Sequence, residues 1–169
     1  MKDYCLDTSG LSHPLQHQPE DLFPRLWAQV HERIESGRIA VTEEIYEELA
    51  LLTGTTGASI VRSKTNLVMR VGAPGWNYSL YLTESARIQT TYARFISENV
   101  GGRRDTIGMN DISIVALAKS LGIPVVSMEV SVMASGRSGT KRRIPDICRS
   151  EGIDHLTFTD FMRREGITA

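Results

Sequence analysis

Two cysteines, no apolar run near the ~18 residues that span a bilayer, and almost no net charge bound this 169-residue chain before any motif is read. Cys5 and Cys148 both sit in apolar surroundings and offer no disulfide framework. That points to a reducing compartment, the cytoplasm. The missing apolar run predicts no membrane partner, and the start Met-Lys-Asp-Tyr-Cys lacks the apolar stretch of a cleaved leader. A net charge of −1 argues against a tight, nonspecific nucleic-acid binder, although acids clustered at a site would cancel basic residues elsewhere. No Gly-Lys-Ser/Thr phosphate loop occurs. What is present is an ordinary globular balance, 41% hydrophobic and 23% charged, at a length that suits one domain over 1–169.

Strand and helix signals alternate. Residues 2–6 read as a first strand ending at Asp7, 38–41 as a second, 123–127 as a buried third and 155–158 as a last. From Asp21, the spacing of Leu22, Leu26 and Val30 predicts an amphipathic helix closed by Ser36-Gly37. Thr42 reads as the cap of a helix with Glu43 and Glu44 in its first turn, and Asn110 as the cap of another reaching Gly122. Pro145 suits the start of a short helix, and Thr159 opens the terminal one. Gly10, Pro14 and Pro19 make 10–20 a loop, so His13 and His17 read as surface residues. Residues 53–105 read as a helical, insertion-like region, with helices over 58–70 and from a Thr83 cap, then a turn at 101–104. Residues 134–143 form a basic, polar loop. This alternation predicts an α/β fold: a central, mostly parallel sheet of four to five strands with helices on both faces.

Four acids sit where strands end or helices begin: Asp7, Glu48, Asp111 and Glu129. In such sheets ligands gather beyond the carboxyl ends of the strands. Carboxylates that close repel, which raises a pKa or demands a cation. Hard oxygen donors without a Cys/His cluster select Mg²⁺ or Mn²⁺. Each acid also has a plainer explanation. Asp7 could be a turn residue, Glu48 part of a solvated acidic face with Glu43, Glu44 and Glu47, Asp111 a first-turn partner of the helix dipole, and Glu129 a loop acid.

The segments LDTSG, VTEEIYEEL, NDISIVALAKSLG and VVSME resemble the acidic motifs of PIN-domain ribonucleases, including the toxins of VapBC-type modules. The tail over 141–167 is similar to a PIN-like branch described only as a domain of unknown function. The resemblance implies a PIN-like fold and a metal-dependent endoribonuclease, the toxin of a toxin–antitoxin pair. Asp7, Glu48, Asp111 and Glu129 would hold one or two Mg²⁺ or Mn²⁺ ions, at which water is activated to attack phosphorus. Ser9, Asn110 and Ser127 would support the carboxylates. It further implies an RNA substrate, a cognate antitoxin protein and a homodimer. The usual last motif is Thr-x-Asp; here Ser127-Met-Glu129 stands instead, one methylene longer.

Lys141, Arg142 and Arg143 are candidates for RNA phosphates, with a solvated loop as the plain alternative. Trp27 and Trp76 read as packing aromatics, and His31 and His155 as isolated. A haloacid-dehalogenase-like phosphatase would need Asp-x-Asp where Ser9 stands. The remaining rival is a catalytically weak or inactive module of the same fold that binds RNA or protein.

Overall fold

The computed structural model describes residues 1–101, 106–133 and 141–168. Most of the expected turn at 101–104 and of the loop at 134–143, including Arg103, Arg104 and Arg137, lies outside the described residues. Four strands pair: β1 (Tyr4–Leu6), β2 (Ile39–Ala40), β3 (Val125–Val126) and β4 (His155–Leu156). Their order is β2-β1-β3-β4, and every pairing is parallel. Cys5 is in register with Ala40 on one side and Val125 on the other, and Val125 with His155.

The helices are α1 (Ser9–His17), α2 (Pro24–Glu35), α3 (Glu43–Leu49), α4 (Gly54–Arg62), α5 (Lys64–Leu67), α6 (Tyr78–Tyr92), α7 (Met109–Leu121), α8 (Ile144–Glu151) and α9 (Phe158–Glu165). They cover both faces of the sheet, as alternation along β1 requires. Tyr4 meets Phe161 of α9 edge to face at 5.1 Å, and Trp27 of α2 stacks on Phe158. On the opposite face α7 is buried on nearly every side, with Ile112, Ile114, Val115, Ala116, Leu117 and Ala118 fully enclosed. Residues 53–101 join the same core through Ile60, Leu67, Ile88 and Tyr92. No helix among the described residues is long and apolar enough to cross a membrane.

Several boundaries differ from the sequence reading. The segment expected as a loop over 10–20 holds α1, with Pro14 inside it. Pro14 lacks the N–H that would bond to Gly10, a cost met by burying Leu11 and Pro14. His13 and His17 stay exposed on that helix. Leu22 is 70% exposed, because the chain turns through Pro19 and α2 begins only at Pro24. Asn77, not Thr83, caps α6, its side chain accepting from the Leu80 N–H. Gly108, not Asn110, precedes α7, and Thr157, not Thr159, caps α9.

Candidate active site

The chain leaves β1, adds β2 on one side, then returns to place β3 on the other. The switch in direction falls between β1 and β3, so their carboxyl ends frame the crevice where α/β folds bind ligands. Asp7 follows β1 directly, and its N–H still pairs with the Val126 carbonyl at 3.0 Å. Ser127 and Glu129 follow β3. Gly10 is required here: a Cβ would stand 2.9 Å from both Leu6 Cδ1 and the Val126 carbonyl oxygen. The Asp-Thr-Ser-Gly turn therefore presses α1 against the neighbouring strand.

Short hydrogen bonds orient each acid. Asp7 is 4% exposed, and its Oδ2 accepts from the Ser9 N–H at 3.0 Å and the Ser9 hydroxyl at 2.5 Å. That hydroxyl in turn accepts from the Met128 N–H at 3.0 Å, tying the turn after β1 to the loop after β3. Glu48 turns away from the exposed Glu43, Glu44 and Glu47. Its two oxygens accept from Thr8 Oγ1 at 2.6 Å and Asn110 Nδ2 at 2.7 Å. Thr42 caps α3 and meets Ser113 Oγ at 3.1 Å; Ser113 donates to the Asn110 carbonyl. The first turns of α3 and α7 are thereby joined. Asp111 Oδ2 accepts from the Gly108 N–H at 2.8 Å. Glu129 Oε2 accepts from the Ile144 N–H at 2.8 Å, at the first residue of α8.

The four carboxylates act on one another. Burial raises the Asp111 pKa to about 7, aided by the charges of Asp7, Glu129 and Glu48 and opposed by the Gly108 hydrogen bond. Burial also raises Asp7, against its Ser9 and Thr8 hydrogen bonds and with the Glu48 charge. Glu129 is raised by burial and by Asp7, against the Ile144 hydrogen bond and Arg143. No lysine or arginine among the described residues forms an ion pair with any of the four. Hard oxygens from acids that raise one another's pKa fit Mg²⁺ or Mn²⁺. As the side chains stand, no group of three His, Cys, Asp or Glu among the described residues is gathered into a ligating set. Each of the four is held instead by its own hydrogen bonds.

Two residues of this region escaped the sequence reading. His155, read as isolated, places Nε2 2.8 Å from Ser127 Oγ, and that hydroxyl also accepts from the Glu129 N–H at 3.3 Å. Burial lowers the His155 pKa, against the charge of Asp160, which favours the neutral ring. Only the register of β3 against β4 reveals this contact. Asp146 is 1% exposed and accepts from Ser131 Oγ and from the N–H groups of Val132, Met133 and Arg143. The signal for it was the Pro145-Asp146 pair, which suits a helix first turn. Of the three basic candidates, Arg143 acts on Glu129, Arg142 lies over the Phe95 ring, and Lys141 is half-buried beside them. Trp27 is in the core. Trp76 packs with Tyr78 and Tyr81 and donates to Ser120 Oγ at 3.1 Å.

With this geometry in place, comparison adds one firm result. A family model described as Domain of unknown function (DUF4411) matches residues 4–169. The chain belongs to the DUF4411 family. The family match takes in β1 to β4 and all four acids, and its description assigns no activity. No curated protein matches the chain. A solved structure titled "Crystal structure of PAE2754 from Pyrobaculum aerophilum" is similar at a TM-score of 0.38 and 13% identity, covering 89% of this chain and 97% of that one. Likeness at that level carries no argument about chemistry.

Proposed function

We propose that this DUF4411 chain is a PIN-like, metal-dependent endoribonuclease whose site is Asp7, Glu48, Asp111 and Glu129. The observation that supports this most is the mutual electrostatic loading of four carboxylates from four separate elements at the β1/β3 crevice, with Asp111 raised to about 7. A fold under selection for stability alone gains nothing from that arrangement.

Mg²⁺ or Mn²⁺ held by these four residues would supply Lewis-acid stabilisation of phosphoryl charge and a lowered water pKa. The chain's own residues do the positioning. Ser9 fixes Asp7, while Thr8 and Asn110 fix both oxygens of Glu48. Asp111, whose pKa burial raises to about 7, would give up its proton to let a cation bind. Ser127 and His155 hold the backbone at Glu129. In this reading RNA is the substrate, the cytoplasm the compartment, and a toxin–antitoxin pair the setting. The antitoxin would then place a basic side chain among the carboxylates, and the toxin would be a homodimer.

Total RNA incubated with the protein and Mn²⁺ should be cleaved to discrete new ends. EDTA should abolish the cleavage, and Asp7→Asn should lower it at least 100-fold. A second reading, a binding module that does not turn over, draws on the Glu129–Ile144 hydrogen bond, which commits that acid to a helix terminus. Cleavage that persists in EDTA and in Asp7→Asn belongs to a contaminant and removes the nuclease reading. Absence of cleavage with intact RNA binding favours the second.

A further inference from the structure

We infer that the cavity framed by the first turn of α3, the chain after Val68 and the start of α6 is a base pocket for single-stranded RNA, with guanine its preferred occupant; this rests on the ribonuclease reading. The cavity measures about 340 Å³, and its lining includes Trp76, Tyr78 and Tyr81 together with Thr42, Glu44 and Arg70. The three rings form one platform. The Trp76 centroid lies 5.3 Å from those of both Tyr78 and Tyr81, and all three residues are half-buried. As core aromatics they would be enclosed, as Trp27 is. Instead they border open space, and neither phenol hydroxyl hydrogen-bonds within the described residues. Unpaired RNA bases stack on aromatic faces of this kind.

The polar lining chooses the ligand. Glu43 is paired with Lys64, but Glu44 and Arg70 are exposed and their side chains form no hydrogen bond or ion pair among the described residues. Burial, then the charge of Glu44 and the Tyr78 phenol, raises the Tyr81 pKa to about 12, which sets Glu44 beside the platform. A cationic side chain entering the cavity would meet Arg70, and an anionic one Glu44. A nucleotide suits both: its phosphate takes the guanidinium, and its base edge donates to the carboxylate. A carboxylate only accepts, and guanine alone among the four bases offers it N–H donors on neighbouring edge nitrogens. The place fits as well. Val41 bridges Val68 in parallel, and the Met69 N–H donates to the Val41 carbonyl at 3.1 Å. Thr42 and Arg70 therefore follow at the carboxyl edge of the sheet, the edge that carries Asp7. Thr42 links the cavity to the crevice: its hydroxyl meets Ser113 Oγ at 3.1 Å, Ser113 donates to the Asn110 carbonyl, and the Asn110 side chain holds Glu48. A base seated on the platform leaves its strand beside the carboxylates.

Short labelled RNAs of uridine carrying a single guanosine, adenosine or cytidine, bound to the Asp7→Asn protein in fixed Mg²⁺ and followed by anisotropy, read the pocket without cleavage. The guanosine strand should bind tighter than the all-uridine strand by about five-fold or more, the low end of what one stacked base contributes. Adding Tyr81→Ala should remove that preference, and Tyr81→Phe should keep most of it. Glu44→Gln, on the surface and harmless to folding, should equalise guanosine with adenosine while the all-uridine strand binds as before. Glu47→Gln, also exposed on α3, should change nothing. Guanosine monophosphate should quench the Trp76 indole. A parent without preference, a preference that survives Glu44→Gln, or quenching by an arginine-containing peptide and not by the nucleotide overturns the pocket. The two readings fail separately. A protein that selects guanosine through Glu44 but never cleaves loses the nuclease and keeps the pocket. One that cleaves with the same new ends in wild type and Glu44→Gln loses only the pocket.

Discussion

Asp111 shows what one residue costs at this site. Its pKa stands at about 7, against 3.8 for the free side chain. Between those values the folded protein binds the proton that the unfolded chain has released, so stability is fully present below about 4 and is lost as pH rises through about 7. Asp111→Asn keeps an oxygen for the Gly108 N–H and removes the charge. In metal-free buffer at pH 8 it should stabilise the protein by about 2–4 kcal/mol, with little effect at pH 4. Thermal melts of both proteins at the two pH values check this; equal melting temperatures at pH 8 would mean that Asp111 is not crowded by its neighbours. The positions of Asp7, just past a strand end, and Asp111, in a helix first turn, were readable locally. Glu48, in the last turn of α3, was set apart from Glu43, Glu44 and Glu47 only by the motif spacing of the resemblance. His155 was out of reach, since its partner depends on a strand register that no local pattern encodes.

At the scale of elements, the loop after β3 and the first turn of α8 are one unit. Asp146 gathers three backbone N–H groups and the Ser131 hydroxyl, and Glu129 takes the Ile144 N–H. Asp146→Ala removes the acceptor that these groups share and should cost about 3 kcal/mol. Denaturant titration measures the loss, and a change within ±0.5 kcal/mol would show that water replaces the carboxylate at no cost. Elements were legible where periodicity was strong, as in α2, or where a glycine marked the end, as Gly122 does for α7. They were missed where tertiary burial overrode local preference, as in α1, whose Pro14 and Gly10 spell a loop by composition. Strand order was not legible, because alternation gives parallel pairing but not which neighbour each strand takes.

Across the whole molecule, two sets of acids pull stability in opposite directions with pH. At the crevice, Asp7, Asp111 and Glu129 are raised. Away from it, Glu165 and Glu151 are lowered. Both are opposed by burial; Glu165 is held down by Tyr4, Arg38 and Arg33, and Glu151 by Arg87 and Tyr92. The lowered set contributes stability above the unfolded pKa and loses it as pH falls through the folded value. The raised set loses its contribution as pH climbs. Metal-free protein should therefore be most stable at about pH 5–6, and saturating Mn²⁺ should lift the alkaline flank by releasing protons. Melting curves from pH 3 to 9, with and without Mn²⁺, test this; an alkaline flank that Mn²⁺ leaves in place would count against cation binding at the crevice.

The Ser9 hydroxyl has one further consequence. It bridges Asp7 to the amide of Met128, 119 residues later in the chain. During synthesis, the first acid is therefore exposed to the ribosome long before the strand that completes its surroundings has been made. Until β3 emerges and pairs beside β1, the nascent polypeptide carries isolated carboxylates and no crevice. If the ribonuclease reading holds, the ribosome is spared from its own product until β3 has been made.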